Sequence, residues 1–175
     1  MQENENKAIS YLNIFAVLLV VAIILAFLPL MSIIPLILGI VSIVILMLAF
    51  RNLLTIDNNF KTPYIFTLIS FIGLIIIIAA LFVMIGGDLL SLGLSTTAIY
   101  MLPLIGFFGG LAIILFVGVI LELIGGIAGV ILGLYRVGKR YNKTGISVGA
   151  VLLIFPLVDI AGLILIIIGL LKLSK

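Results

Sequence analysis

The sequence predicts an all-α fold, a polytopic transmembrane helical bundle of about six segments that includes a short C-terminal hairpin. Three observations predict it. Hydrophobic residues make up 66% of the 175 and charged residues only 9%, against about 25% charged in a soluble domain. So few charges cannot clothe a surface that faces water. The apolar residues also fall in runs near the ~20 residues that a helix needs to cross a ~30 Å hydrocarbon core. Finally, all nine Lys and Arg residues lie at alternate ends of those runs.

The elements follow in order along one integral membrane domain, 1–175. The start, MQENENK, lacks the basic region of a cleavable signal peptide, so the first apolar run, 9–28, is expected to be a retained helix. Pro29 and Pro35 bracket a tight reversal, and a second span at 33–50 closes on Arg51. After the polar loop RNLLTIDNNFKTP, Thr62 is expected to cap a third span and Pro63 to occupy its first turn. That span, 63–85, is expected to stop at Gly86 and Gly87. Between Ala98 and Tyr135 the one charge is Glu122. This stretch is too long for one upright span, so YMLPLIGFFGG is expected to be a kinked or interfacial lead-in to a fourth span at 105–135.

The tail is expected to form a hairpin, 144–156 and 159–173, broken at FPLVDIAG. A hairpin leaves the turns at 29–35, 86–98 and 156–161 free of Lys and Arg. The opposite side then holds Lys7, Arg51, Lys61, Arg136, Lys139, Arg140, Lys143, Lys172 and Lys175. The positive-inside rule makes that side cytoplasmic, with both termini on it and the chain in the cell membrane. The fifth segment, about 13 residues before Pro156, is short for a full crossing. PLVDIAGLILI also echoes PLMSIIPLILG when the sequence is shifted by 127 residues.

Composition narrows function as well. With no Cys and no His, disulfides, thiolate metal sites and thiol or imidazole catalysis are excluded. No catalytic residue, cofactor or metal ligand is assigned, and an enzyme is not expected. The basic residues lie at segment ends, so nucleic acid is not an expected partner. GGD at 86–88 meets no protease motif, and no phosphate loop of the G-x-x-x-x-G-K form is present. Asp159, before IAGLIL, is expected to cap a helix.

Glu122 stands out because a carboxylate at mid-span is costly and is by default a functional hypothesis. On a helix, Gly118, Gly125, Gly126, Gly129 and Gly133 share its face. The spacing Gly125, Gly129, Gly133 is that of a glycine zipper, which lets helix backbones approach in lipid. The face is therefore expected to pack on protein, within this chain, in a homo-oligomer or on a partner membrane subunit. The expected bland role for the acid is a hydrogen bond to a carbonyl or to Ser42; the sharper one is a proton or cation site in a small transporter or channel. Arg136, Lys139, Arg140 and Lys143 are expected to set topology, with anionic lipid heads in the bilayer as a second role.

Two stretches carry a resemblance. PLILGIVSIVILMLAFRNLLTIDNNFKTPYIFTLISFIGLII joins a glycine-containing helix, a polar linker with a Phe and a new apolar span. LGLYRVGKRYNKTGISVGAVLLIFPLVDIAGLILIIIGL places a basic, Tyr-containing helix end before a hairpin. Both resemble an uncharacterised prokaryotic membrane family, domain of unknown function 996, with the related archaeal family 973 as second choice. The resemblance implies an integral membrane protein and brings no activity or site residues. Together these readings point to a non-enzymatic, helix-packing accessory or oligomeric membrane component.

Overall fold

The computed structural model describes residues 2–26, 33–93, 101–155 and 158–173, and their side chains except those of 26, 33, 35, 36, 84–93 and 101–108. Every described element is helical. They are α1 (Gln2–Ala26), α2 (Ile33–Leu54), a 3-10 turn (Asn58–Phe60), α3 (Lys61–Gly93), α4 (Met101–Gly126), a π-helical turn (Ile127–Ile131), α5 (Leu132–Arg140), α6 (Thr144–Leu152) and α7 (Asp159–Leu171). Four stretches are long and apolar enough to cross a membrane: Gln2–Leu25, Ile37–Leu54, Asn58–Val83 and Gly109–Arg140.

Three boundaries differ from the sequence expectation. Gly86 and Gly87 do not stop the third helix, which runs on to Gly93. A glycine inside a helix costs about 1 kcal/mol, less than the unpaired backbone groups that a break exposes in an apolar setting. Thr62 does not cap that helix but lies within it; Asp57 caps the 3-10 turn that precedes it, its Oδ1 accepting from the Asn59 N–H at 2.9 Å. The 3-10 turn leads straight into Lys61, so Thr62 and Pro63 already lie in the first turn, where proline loses no needed bond. YMLPLIGFFGG is not a separate piece: from Met101 it belongs to a helix continuous through the π turn to Arg140. The proline reversal at 29–35 lies largely outside the described residues, as do Pro156 and the Asp88 side chain.

The C-terminal hairpin is present in the fold as a pair of half-length helices. The Gly149 and Gly162 backbones meet, and Gly169 meets Ile146, so α6 and α7 run antiparallel. With 9 and 13 residues they rise about 14 and 20 Å, short of the ~30 Å core. Asp159 opens α7, its Oδ1 accepting from the Ile160 N–H at 2.7 Å.

The buried core collects Ala8, Leu12 and Phe15 of α1, Leu46, Phe50 and Leu53 of α2, Leu134 and Val137 of α5, Ile146 of α6, and Ile166 and Leu170 of α7. It thus sits beside the end of the bundle where the N-terminus, the α2–α3 connection, the α5–α6 turn and the end of α7 converge. By contrast, α3 and α4 pack mainly along each other. Outward faces carry large apolar side chains, such as Phe82 at 74% exposure and Ile113 at 66%. In water such area costs about 25 cal/mol per Å²; lipid tails remove that cost.

Candidate functional site

The site grows from the glycines of the continuous helix made of α4, the π turn and α5. A Cβ on Gly118 would come within 3.0 Å of Ile76 and Ile77. On Gly125 it would meet Phe66 O at 2.6 Å, and on Gly129 the Thr67 N at 2.6 Å. On Gly133 it would strike the Phe50 ring of α2. These four glycines therefore lie against neighbouring helices of this chain, with backbone close to backbone at Gly118, Gly125 and Gly129 and a ring in the space of the absent Cβ at Gly133. Reciprocally, Gly73 of α3 would carry its Cβ to 2.6 Å from the Glu122 N. Gly126 differs: its nearest neighbours are Glu122 Oε1 at 3.4 Å and Ser70 Oγ at 3.6 Å. It leaves room between α3 and α4, and the Glu122 and Ser70 side chains both approach that space.

Glu122 is half-buried and borders a groove of about 290 Å³ whose other walls are Leu123, Gly126, Ile127, Val130, Ile131 and Leu153. Leu153 brings the end of α6 to this groove. Among the described residues the Glu122 carboxylate has no hydrogen-bond or ion-pair partner. Ser42 is not its partner, because the Ser42 Oγ donates to Leu38 O of its own helix at 2.7 Å. The nearby hydroxyl is that of Ser70, 1% exposed, whose Oγ is buried without a hydrogen bond. One turn beyond Glu122 the helix widens into the π turn at Ile127–Ile131. Such single turns interrupt the regular backbone ladder and occur often at functional sites.

A second cluster caps the bundle at its basic end. Arg140 bridges α1 and the α2–α3 connection, with Glu5 and Asp57 each at 3.3 Å. Arg136 donates to the carbonyl of Asn59. Lys139 lies 5.0 Å over the Tyr135 ring. The helix stops in a Schellman turn: Asn142 adopts φ 52°, its N–H donates to Lys139 O, and the Lys143 N–H donates to Gly138 O. Arg140 is thus a tie between segments. Lys143 shapes the turn into α6 through its carbonyl, which accepts from the Ile146 N–H. Burial first, and then the Glu5 carboxylate, push the Tyr141 hydroxyl above its usual range.

One comparison with known proteins bears on this arrangement. The family described as Protein of unknown function (DUF973) matches residues 2–175, which covers every element above. The chain belongs to the DUF973 family. This corrects the first-choice resemblance to family 996 and supports the second. The quoted stretches share only helix, polar linker and basic helix end, features that many apolar chains repeat. No curated protein and no solved structure matches this DUF973 chain.

Sequence reasoning missed Ser70 and Gly73, although a signal existed. Thr67, Ser70 and Gly73 place small residues at every third position of the facing helix, the counterpart of the α4 glycines. It also missed the Glu5–Arg140–Asp57 tie, which joins residues 135 and 83 positions apart and leaves no local pattern.

Proposed function

We propose that this DUF973 chain is a non-enzymatic accessory component of the cell membrane, which receives a hydrogen-bond donor or cation from another membrane protein at the Glu122 groove. In this reading α1, α2, α3 and the continuous α4–α5 helix cross the bilayer, and α6 with α7 forms a re-entrant hairpin. Both termini are cytoplasmic. Four crossings and a re-entrant hairpin keep all nine basic residues on one side, as six crossings do, and suit helices too short to span.

One observation carries the proposal: a half-buried carboxyl without a partner among the described residues opens onto a groove in an apolar wall. Its neighbour Gly73 lies 12 residues from Lys61, about 18 Å along α3, beyond the halfway depth of the core. The close packing of the four glycines on α3 and α2 leaves the groove, not the seam, available to a partner. A second copy of the chain offers no counter-charge, since no Lys or Arg lies inside an apolar run. The absence of Cys and His supports a role without catalysis.

A photo-crosslinking residue at Leu123 or Ile127, in native membranes, tests this. The expected product is a crosslink to a different membrane protein that Glu122→Ala abolishes while the chain's melting curve is unchanged. Crosslinks confined to lipid or to a second copy would refute it.

The unpartnered Ser70 hydroxyl and the π turn favour a second reading, in which Glu122 exchanges a proton or cation during transport. Glu122→Gln then abolishes a pH-dependent flux in proteoliposomes; an unchanged flux removes that reading.

A further inference from the structure

We propose that the basic end of α5 forms a binding pocket for the phosphate of an anionic phospholipid, with Arg136 and Lys139 as its ligands. The pocket, about 510 Å³, lies between α5 and the 3-10 turn. Leu132, Tyr135, Arg136 and Lys139 are spaced i, i+3, i+4 and i+7, so one helix face supplies its wall.

The charges on that face are not equivalent. Arg140 is paired with both Glu5 and Asp57, so that group of three keeps one net negative charge, and Asp57 also borders the pocket. Among the described residues Arg136 bonds only a neutral carbonyl, that of Asn59. Lys139 rests on the Tyr135 ring and has no carboxylate partner among the described residues. Two cations without carboxylate partners among the described residues therefore face one cavity and outweigh the single residual negative charge beside them, the chemistry that a phosphate or phosphodiester matches.

The order of side chains selects a lipid over a soluble phosphate. Along the helix the lining passes from Leu132 through Tyr135 to Arg136 and Lys139, a rise of about 10 Å, with Phe60 as a further apolar wall residue. Apolar, aromatic and cationic groups then succeed one another as acyl chain, interface and headgroup do in a bilayer. The inference rests on the membrane placement proposed above and is independent of the Glu122 reading.

The test uses the full-length chain in mild detergent, with dioctanoyl phosphatidylglycerol, dioctanoyl phosphatidylcholine and inorganic phosphate as probes and native mass spectrometry as the readout. Phosphatidylglycerol is expected to bind well above phosphatidylcholine. Lys139→Gln is expected to weaken it about fivefold and Arg136→Gln with Lys139→Gln about 25-fold, following the worth of a basic residue near an anionic surface. Lys139→Arg should retain binding. Because Arg136 also holds Asn59, the Lys139 variants keep the test valid if the double variant misfolds. Equal binding of phosphatidylcholine, or phosphatidylglycerol binding unmoved by Lys139→Gln, overturns the site. Inorganic phosphate binding as tightly as phosphatidylglycerol overturns the lipid assignment. Recovery of the chain in carbonate-washed membranes is scored separately, so failed binding with membrane recovery counts against the pocket alone.

Discussion

Gly125→Ala and Gly126→Ala make the same chemical change at adjacent residues of one helix, yet the structure separates their outcomes. At Gly125 the new Cβ would stand 2.6 Å from Phe66 O and 2.8 Å from Ser70 Cα, both backbone atoms of α3. The backbone N of Ser70 lies closer still, and ordinary contact begins near 3.4 Å, so α3 and α4 must part by more than about 0.8 Å. None of these atoms is the end of a flexible side chain, so the whole helix pair must move. Overpacking of this kind costs ~1–3 kcal/mol. At Gly126 the nearest atoms are side-chain oxygens at 3.4 and 3.6 Å, and alanine fits. Both substitutions gain about 1 kcal/mol of helix propensity, and this cancels in the comparison. Gly125→Ala should therefore be less stable than Gly126→Ala by about 2 kcal/mol, roughly 30-fold in the folding equilibrium. Unfolding by SDS titration in mixed micelles, followed by far-ultraviolet circular dichroism, measures the difference. Equal midpoints, or Gly126→Ala as the weaker variant, would refute the argument that backbone contact at Gly125 sets the α3–α4 distance.

Four further outcomes follow from the same structure. Gly133→Ala should destabilise the chain, and Phe50→Leu should relieve part of that loss, because the Phe50 ring fills the space of the absent Cβ; a double-mutant cycle with no coupling would contradict this. Arg140→Gln should cost about 1–2 kcal/mol, between the values for exposed and buried pairs, because Arg140 is 23% exposed and Glu5 and Asp57 are 34% and 26% exposed. That loss should shrink with added salt, and a salt-independent loss would point to packing of the side chain instead. Asn142→Gly should be tolerated, whereas Asn142→Val should cost about 1–2 kcal/mol at its left-handed φ; thermal melts of the two variants decide. Gly149→Leu should open the α6–α7 hairpin, which a reporter of the Leu173 end or protease access to the tail detects; an unchanged cleavage pattern would argue against the Gly149–Gly162 contact.

The long helices were legible in the chain because an apolar run has few ways to satisfy its backbone groups away from water, and a helix satisfies them within itself. The same reasoning located Glu122 and the glycine face, since both follow from one helix and its 3.6-residue period. It erred where a local signal competes with that rule. Gly86 and Gly87 look like a stop, and Thr62 like a cap, but a continuing helix and the Asp57 turn satisfy more of the backbone.

What the sequence determined by itself is the class of the protein: all-helical and apolar enough for a membrane, with its cations gathered at the ends of the apolar runs. Only the tertiary structure decided what each of those features meets. It put α3 rather than a second chain against Gly125 and Gly129, and Ser70 rather than Ser42 beside Glu122. It also tied Arg140 to Glu5 and Asp57, leaving Arg136 and Lys139 without carboxylates. The physical reason is that periodicity fixes the direction in which a side chain leaves its own helix. The identity of its neighbour depends on the crossing of a second helix, often more than 40 residues away in the chain.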